Sequence, residues 1–459
     1  MKKYDIAVIG AGPGGYVAAI RAAQLGQKVL VIDREKLGGS CLNWGCIPTK
    51  TMLITARHYK DILRSEVFGI VGVNKDEVKV DLGKLLQRKD DVVGRLTAGI
   101  AGLFKKNGID YINGLAGNVQ KNSLEVDGET IEFDHLIIGT GARPKYGDIE
   151  GLQAFFEKGR AIDSKQVMDL EAIPARLVIV GNNTYAVEYA TLFNAIGSEV
   201  TLIHESDRLL PYMDREMATT LERQLKKDGV KLISKALVRA FKDDAVQIEV
   251  KGREASHAGD KFMMFMGLQP NLEGFESLGL ELDERGFIRT NERLETSVGN
   301  IYAIGDVNGT IPLAHAASAE GIVAAENISG IDRKVNYQLI PQGVYSFPEL
   351  ASVGITEEEA KEQGLDHTVS KFPLQANGMA IAEDETVGFV KLISDNQYGE
   401  IIGAHIVAEK ATDMISKLVA VMQIEGTVHD LSHTVHPHPT LSEAIVEAAH
   451  GAVDQPIHI

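Results

Sequence analysis

The sequence predicts an α/β chain that contains two βαβ units and ends in an α+β region. Two observations predict the βαβ units. An apolar run, a glycine-rich turn, a helical stretch and a second apolar run follow one another from residue 4, and the same series repeats from residue 177. The third observation is a change near residue 340, after which short alternating segments replace the continuous apolar runs. With 459 residues, the chain has room for several domains of about 100–200 residues each.

Each element of the first unit has a local reason. Residues 4–9 are largely apolar, as buried parallel strands are. The stretch from Tyr16 to Leu25 has a helical pattern and is closed by Gly26, because glycine readily ends a helix. Residues 28–32 are expected to form the second strand.

The remaining elements follow from the same patterns. Residues 54–108 are expected to be helical with charged faces, and residues 133–138 to form a strand that ends at a glycine loop. Further strands are expected over 177–180, 199–203, 301–306, 368–373, 386–394 and 400–407, and further helices over 187–196 and 410–425.

Charge and hydropathy exclude some functional classes. The net charge of −17 argues against a nucleic-acid binder or a membrane-surface binder, because both need a basic surface, although it permits docking to a basic partner. Neither a secretory signal nor a membrane span is expected, because the apolar run Ile6–Ile9 is short and no run approaches about 18 apolar residues. A cytoplasmic location and no metal site are therefore expected.

The turn of the first unit carries a phosphate-binding pattern, Gly10-Ala-Gly12-Pro-Gly14-Gly15. In G-x-G-x-x-G the first glycine makes the turn, the second lets the backbone approach a pyrophosphate, and the third lets the helix pack on the strand. The helix N-terminus then offers N–H groups to the anion. Asp33 ends the second strand, where a carboxylate can accept hydrogen bonds from ribose hydroxyls. The series predicts a Rossmann-like dinucleotide site.

The two cysteines, Cys41 and Cys46, follow this site in a glycine-rich stretch, and Pro48 fixes the turn after them. One interpretation is half of a zinc site, which needs two more ligands, and no C-x-x-C or H-x₃-H partner is evident. Another is a pair of inert buried thiols. The third is a redox pair, because a dithiol beside a flavin can exchange two electrons with it and a nearby cation, Lys50, favours the reactive thiolate.

The segment 38–50, G-G-S-C-L-N-W-G-C-I-P-T-K, resembles the redox-active segment of the pyridine nucleotide–disulfide oxidoreductases, and most closely that of the dihydrolipoamide dehydrogenases. The resemblance extends along essentially the whole chain. It implies two Rossmann-like dinucleotide-binding domains, one for FAD and one for NAD, plus a C-terminal α+β dimerisation domain. The implied boundaries are 1–147 and 274–338 for the two parts of the FAD domain, 148–273 for the NAD domain and 339–459 for the interface domain.

The resemblance also implies roles for single residues. Cys46 corresponds to the thiolate that faces the flavin, and Cys41 to the interchange thiol that meets the substrate. Lys50 is expected near the flavin ring, paired with Glu188, and Asp306 is expected to bond the ribityl chain. The other positions expected to bind FAD are Gly10, Gly12, Gly14, Gly15, Asp33, Ser40, Ala116, Thr140, Gly141 and Ala314.

Near the C-terminus, residues 436–443, H-P-H-P-T-L-S-E, resemble the family signature H-x-H-P-T-x-x-E. A thiol must lose a proton before it attacks a disulfide, and histidine titrates near neutral pH. A carboxylate bonded to the other ring nitrogen fixes the tautomer. His438 is therefore expected to be the base and Glu443 its orienting partner. In the family this pair reaches into the active site of the other subunit, so a homodimer is implied.

The second nucleotide site departs from the family pattern G-G-G-Y-I-G-x-E, since residues 181–188 are G-N-N-T-Y-A-V-E. Asn183 replaces the middle glycine, and its side chain is expected to crowd the pyrophosphate. His204 stands where the acid that reads the NAD ribose is expected, and Leu268 replaces an arginine. Without an evident basic pair for a 2′-phosphate, NAD is favoured over NADP. We favour a site that has drifted but still works over one with weakened NAD turnover or another acceptor. The positions expected to contact the nucleotide are Gly181, Glu188, Glu205 and Gly267.

The implied reaction is flavin-dependent oxidation of dihydrolipoyl groups to the lipoyl disulfide, with hydride transfer to NAD⁺. Such an enzyme is the shared component of a 2-oxo acid dehydrogenase or glycine cleavage system, and the lipoyl group is expected on a carrier or acyltransferase protein. A glutathione reductase is disfavoured by the residues around the cysteine pair, and a mercuric reductase by the lack of cysteines near the C-terminus. The competing interpretation is a non-catalytic FAD-binding protein of a multienzyme assembly, with a decayed nicotinamide site.

Overall fold

Strands and helices follow one another through residues 2–459, which are the residues that the computed structural model describes. The first elements are β1 (Lys2–Ile9), α1 (Pro13–Gln24), β2 (Val29–Asp33), α2 (Gly39–Asn43), α3 (Cys46–Leu63), α4 (Leu82–Lys106), β3 (Asp110–Asn113), β4 (Ala116–Gly117), β5 (Ser123–Val126), β6 (Glu129–Ile138) and β7 (Ala142–Pro144). The middle elements are α5 (Leu152–Glu157), β8 (Ala161–Ile162), α6 (Ser164–Val167), β9 (Arg176–Gly181), α7 (Thr184–Ala195), β10 (Glu199–Ile203), α8 (Arg215–Lys227), β11 (Lys231–Ile233), β12 (Ala236–Lys242), β13 (Ala245–Val250), β14 (Arg253–Ala258), β15 (Lys261–Phe265), β16 (Leu268–Pro270), β17 (Ile301–Ala303) and α9 (Ala314–Ile328). The last elements are β18 (Gln342–Val344), β19 (Glu349–Gly354), α10 (Glu357–Glu362), β20 (His367–Pro373), α11 (Gly378–Ala382), β21 (Phe389–Asp395), β22 (Ile401–Ala408), α12 (Ala411–Met422), α13 (Val428–Ser432) and α14 (Glu443–Val453).

A seven-stranded sheet forms the first layer, in the order β3-β2-β1-β6-β5-β4 with β17 beside β6. The central strand β1 runs parallel to both neighbours, with Ile6 opposite Val29 on one side and His135 on the other. Ile6 and Val8 are fully buried, as expected of a parallel strand that is covered on both faces. Because β17 follows the strands of the second sheet in the chain but pairs with β6, the chain leaves the first sheet and later returns to it.

A second parallel sheet has the order β11-β10-β9-β15-β8. The strands β12, β13 and β14, which come between β11 and β15 in the chain, form a separate antiparallel sheet. Val178 and Ile179 in β9 are buried, and α7 connects β9 to β10 as the crossover of a right-handed unit should. Both predicted βαβ units are therefore confirmed. The carboxyl end of β9, at Gly181, is the edge at which such sheets bind ligands.

The last region is a five-stranded antiparallel sheet in the order β18-β19-β22-β21-β20. Its buried face forms one hydrophobic core with α12 and α14, to which Ile406, Leu418 and Ile445 belong. The predicted α+β character of this region is confirmed.

One expectation about the elements is wrong, and one sheet was not predicted. Residues 54–108 are not one helical stretch, because α3 ends at Leu63 and α4 begins at Leu82. Between them Gly69 and Gly72 have φ values of +75° and +90°, angles that end a helix, and Asp81 caps α4 by accepting from Lys84 N at 3.0 Å. The sheet of β12, β13 and β14 was not predicted, because five of the six residues of β14 are exposed and show no apolar alternation.

Candidate active site

Cys41 and Cys46 lie at the junction of two helices. Cys41 is in α2, and Cys46 is the first residue of α3. The turn between them is tight, since a Cβ at Gly45 would lie 3.0 Å from the carbonyl oxygen of Ser40. Both cysteines are free thiols and half-buried. The turn brings the two sulfurs within hydrogen-bonding reach of each other.

The two thiols differ in acidity. The hydrogen bond between the sulfurs, together with burial, raises the pKa of Cys41 far above its ordinary range. The same bond lowers the pKa of Cys46, and the charge of Lys50 adds to this effect, although burial and Glu188 oppose it. The N-terminus of α3 also favours an anion at this position. These directions favour Cys46 over Cys41 as the thiol that ionises.

A buried ion pair lies next to the thiolate. Lys50 Nζ is 2.9 Å from Oε1 and 2.7 Å from Oε2 of Glu188, whose side chain is 1% exposed. Burial alone would lower the pKa of Lys50, but the carboxylate of Glu188 outweighs it and raises that pKa. The ion pair joins α3 to α7, so it links the cysteine segment to the second βαβ unit.

The first glycine turn has the geometry that the pattern predicts. Gly10 has φ +105°, and a Cβ there would lie 2.1 Å from the carbonyl oxygen of Gly139. A Cβ at Gly15 would lie 1.9 Å from the carbonyl oxygen of Gly10. Asp33 holds the turn, since its Oδ2 accepts from Ala11 N at 2.6 Å. Gly14 is also enclosed by the chain, since a Cβ there would lie 3.1 Å from Cδ1 of Ile304.

The residues around this turn fit a bound dinucleotide. At Gly12 the backbone has φ −70°, and a Cβ would lie no closer than 3.9 Å to any protein atom. The chain itself therefore gives no reason for a glycine there, whereas a pyrophosphate that approaches the backbone does. A cavity at the carboxyl end of the sheet is lined by Gly10, Asp33, Ala116 and Thr140. Four residues that the sequence assigned to the FAD site thus meet in one cavity.

Asp306 lies in a 3₁₀ turn that follows β17, and burial raises its pKa to about 6. The turn is held from behind by Glu320, which is fully buried and accepts from Gly305 N at 2.5 Å and Asn308 Nδ2 at 3.0 Å. Burial makes the charged form of this half-buried carboxylate costly, and hydrogen bonds donated by ligand hydroxyls would stabilise that form. Ala314 begins α9 a few residues later.

The other expected FAD positions have less specific surroundings. Thr140 Oγ1 donates to the carbonyl oxygen of Asn271 at 2.8 Å, and Gly141 has φ +67°. Ser40 is exposed in α2, one residue before Cys41. These contacts give no reason for a ligand beyond that given by the cavity.

His438 and Glu443 form a pair at the start of α14. His438 Nδ1 lies 2.9 Å from Glu443 Oε1, and Thr440 N donates to Glu443 Oε2 at 2.8 Å. Burial would raise the pKa of Glu443, but the hydrogen bonds from Thr440 and His438 outweigh it and lower that pKa. The side chain of His438 is 80% exposed. Within residues 2–459 of one chain, no hydrogen bond or ion pair joins His438 to either cysteine.

Comparisons with known proteins agree with this site. The family model described as pyridine nucleotide-disulphide oxidoreductase matches residues 4–321, and the dimerisation-domain model of the same family matches residues 340–449. The chain belongs to this family. The resemblance predicted from residues 38–50 is thereby confirmed.

Several members of the family are similar over nearly the whole chain. A protein of Bacillus subtilis named dihydrolipoyl dehydrogenase is 43% identical over 99% of this chain and 97% of its own length. A protein of the same name from Geobacillus stearothermophilus is 40% identical over 98% and 97%. Among solved structures, LpdA from Mycobacterium tuberculosis has a TM-score of 0.88 at 26% identity, covering 98% of this chain and 99% of that one. The HOCl-induced flavoprotein disulfide reductase RclA from Escherichia coli has a TM-score of 0.85 at 28% identity, covering 97% and 99%.

Pyridine nucleotide-disulphide oxidoreductases use FAD and NAD, so the predicted cofactors are confirmed at the level of the family. The match of residues 340–449 to a dimerisation domain likewise supports a homodimer. No helix between residues 2 and 459 is both long and apolar enough to cross a membrane. In that same part of the chain, no three His, Cys, Asp or Glu side chains are grouped so as to hold a metal ion.

The second nucleotide site is where this chain departs from the family pattern. Gly181 has φ +148°, and a Cβ there would lie 2.6 Å from the carbonyl oxygen of Phe265. Asn183 is the N-cap of α7, where its Oδ1 accepts from Ala186 N at 3.1 Å and its Nδ2 donates to Phe265 O at 3.3 Å. Its φ is −93°, so the tolerance of asparagine for left-handed angles is not used. The side chain instead occupies an N–H group that a pyrophosphate could use.

The strand end that should read the ribose is also changed. His204 is 2% exposed, and its Nδ1 lies 2.9 Å from Ser206 Oγ. Burial lowers the pKa of His204, so its ring is suited to packing and cannot replace a ribose-binding carboxylate. Glu205 beside it is exposed. Gly267 has φ +148° and precedes Leu268, which is in β16.

Sequence reasoning missed two residues that shape the site. Glu320 supports the turn of Asp306, and Tyr345 contacts both Lys50 and Glu188. Tyr345 lies 157 residues from Glu188 in the chain, Glu320 lies 15 residues from Gly305, and neither stands in a recognisable pattern. The sole tryptophan, Trp44, was visible between the cysteines, but its contact with Lys165 Nζ, 4.4 Å from the ring centroid, was not.

Proposed function

We propose that this chain is a dihydrolipoyl dehydrogenase, which oxidises dihydrolipoyl groups to the lipoyl disulfide and reduces NAD⁺. The observation that carries the proposal is the Cys41–Cys46 pair, in which Cys46 is the more acidic thiol and lies beside the charge of Lys50. Relatives that bear this name match over nearly the full chain. Such an enzyme acts as the shared component of a 2-oxo acid dehydrogenase or glycine cleavage system, on a lipoyl group borne by a carrier or acyltransferase protein.

The proposed chemistry on the protein side is thiol–disulfide exchange. One substrate thiolate attacks the Cys41 sulfur of the oxidised pair, a substrate–Cys41 bond forms, and Cys46 leaves as a thiolate stabilised by Lys50. The second substrate thiolate then attacks the substrate sulfur bound to Cys41, which closes the lipoyl disulfide and returns Cys41 as a thiol after it takes up a proton. Of the two substrate protons, one is retained on Cys41 and the other on the base. Gly10, Gly12, Asp33 and Asp306 would hold FAD, which when bound would supply the two-electron carrier between this dithiol and the pyridine nucleotide.

The base is His438 of the second copy in a homodimer. In one chain His438 is exposed and bonded to Glu443 alone, which leaves its Nε2 free to face a thiol. Glu443, with its lowered pKa, stays ionised and stabilises the imidazolium. The dimerisation-domain match supports this arrangement.

The domain boundaries expected from the resemblance, at 147, 273 and 338, form part of the proposal. The pairing of β17 with β6 supports an FAD domain that is split around the NAD domain. A cytoplasmic location remains a prediction.

The test is a spectrophotometric assay of the purified holoenzyme with dihydrolipoamide, with NAD⁺ and NADP⁺ in parallel. Substantial formation of NADH, and little of NADPH, supports the proposal. Reduction of the flavin by the dithiol without NADH would instead support the decayed nicotinamide site. Cys46→Ser should also abolish the long-wavelength absorbance between the thiolate and bound flavin on partial reduction. Survival of that band would show that Cys46 is not the thiolate.

A further inference from the structure

The cation beside the thiolate is held from a third part of the chain. Tyr345 follows β18, and its ring lies under Lys50, with Nζ 4.6 Å from the ring centroid. The backbone N–H of the same residue donates to Glu188 Oε1 at 3.1 Å. Tyr345 therefore contacts both members of the ion pair, the ammonium through its ring and the carboxylate through its backbone.

This double contact matters because the two charges act on Cys46 in opposite directions. Lys50 lowers the pKa of Cys46 and Glu188 raises it, in addition to the effect of Cys41, and Tyr185 also interacts with this thiol. The groups that interact with Lys50 include Glu188, Cys46 and Tyr345, and Lys50 also lowers the pKa of Cys41. A lysine stem is flexible, so the effect on the sulfur depends on how far the ammonium lies from Cys46 and how closely it pairs with Glu188.

We infer that Tyr345 is a positioning residue for the redox reaction, which holds Lys50 within range of Cys46 by a cation–π contact while fixing Glu188 through its backbone. The inference rests on the proposed function, because it concerns the same thiolate. The ring face supplies a third direction of attraction, so the ammonium is not held by Glu188 alone. The opposing interpretation is that the Tyr345 ring only fills space at the domain junction.

The same segment offers a matched control. Phe347, two residues further on, is buried and lies under Arg57, with the guanidinium carbon 4.0 Å from the ring centroid. It also lies 5.7 Å from Lys60 Nζ, but it makes no cation–π contact with Lys50. Phe347→Leu therefore removes an aromatic ring and a cation–π contact from the same stretch without touching the thiolate environment.

The experiment follows the pH titration of the thiolate–flavin absorbance in partly reduced holoenzyme of five proteins: wild type, Tyr345→Leu, Tyr345→Met, Tyr345→Phe and Phe347→Leu. Loss of the ring should raise the apparent pKa of Cys46 by roughly half to one unit, in both the Leu and Met variants, so that failure of one to fold leaves the other. Tyr345→Phe keeps the ring and should titrate like wild type, as should Phe347→Leu. The pH dependence of thiol alkylation, followed by mass spectrometry, should report the same shift at Cys46.

An unchanged titration in both ring-free variants overturns the inference, and so does an equal shift in Phe347→Leu, which would indicate general loosening. These outcomes are separable from failure of the proposed function. If the wild type itself shows no band that depends on Cys46, the assignment of the thiolate fails. If it shows the band but Tyr345 variants do not move it, only the role of Tyr345 fails.

Discussion

The cap of α7 allows a direct test of how the second nucleotide site was altered. Asn183 uses its Oδ1 to accept from Ala186 N at 3.1 Å, and this N–H belongs to the helix start that a pyrophosphate would approach. Asn183→Gly restores the glycine of the family pattern and releases the N–H. We therefore expect the variant to bind NAD⁺ more tightly than the wild type.

The magnitude follows from the hydrogen bond that is exchanged. A new bond from Ala186 N to a charged phosphate oxygen contributes about 1.5–3 kcal/mol at most. Against it stands the loss of the Asn183 cap, which costs only a few tenths of a kcal/mol when glycine is the replacement. Because about 1.4 kcal/mol corresponds to a tenfold change in affinity, and a partly formed bond contributes less, we expect the Kd for NAD⁺ to fall by roughly three- to tenfold.

The assay is calorimetric titration of oxidised holoenzyme with NAD⁺, with thermal unfolding measured alongside. Asn183→Ala separates two explanations, because it also frees the N–H of Ala186 but keeps a Cβ. A gain in both variants indicates the released donor, whereas a gain in Asn183→Gly alone indicates backbone clearance. Thr427→Gly, which removes the cap of α13 far from this site, should leave the Kd unchanged. If neither Asn183 variant binds NAD⁺ more tightly while both remain folded, the reasoning is wrong.

Two further predictions concern the ion cluster that joins α8 to the last sheet. Lys391→Met should lower the free energy of unfolding by about 3–5 kcal/mol, because it leaves Asp214 without its partner. The Asp214 carboxylate lies 2.9 Å from Lys391 Nζ and its side chain is 2% exposed. In urea unfolding, the control Lys371→Met, which breaks an exposed ion pair, should lower that free energy by less than about 1 kcal/mol, and equal losses in the two variants would contradict this reasoning. Glu357 has its pKa lowered to about 2, from an ordinary 4.5, by hydrogen bonds from Lys361 and Lys391. Its contribution to stability is thus complete above pH 4.5 and is lost as the pH falls toward 2. Between these pH values the free energy of unfolding should therefore fall less in Glu357→Gln than in wild type.

The parts of the fold that could be predicted are those whose patterns are local. The strand predicted over 199–203 is β10 with the same limits, because the glycine that ends the preceding helix and the polar turn that follows mark the two ends of the apolar run. The break between α3 and α4 was not predicted, because apolar residues continue through the segment 64–81, although Gly69 and Gly72 carry the same helix-ending signal as Gly26. The exposed strand β14 was missed for the opposite reason, since it has no apolar face.

The candidate site divides in the same way. The cysteine pair and the His438–Glu443 pair each lie within a few residues, so the segments that resemble the family could be recognised locally and their roles predicted from that resemblance. The contacts of Tyr345 could not, because Glu188 lies 157 residues away in the chain. Glu320 lies only 15 residues from Gly305, but no local pattern marks it as a support for that turn. Asn183 is an intermediate case. An asparagine just before a helix is a recognisable cap, but the family pattern predicted only a side chain that crowds the pyrophosphate, and not the cap of α7.

The surroundings of Lys50 have a consequence for the order in which the molecule is made. Its neighbours Glu188 and Tyr345 leave the ribosome long after the cysteines do. Until the later segments arrive, Lys50 lacks both the carboxylate and the ring that contact it, so its charge is not yet fixed beside the thiols. An N-terminal fragment that ends before β18 should therefore carry both sulfurs, Lys50 and Glu188 but lack the ring under Lys50, so the full surroundings of the thiolate exist only once the later segment has been made.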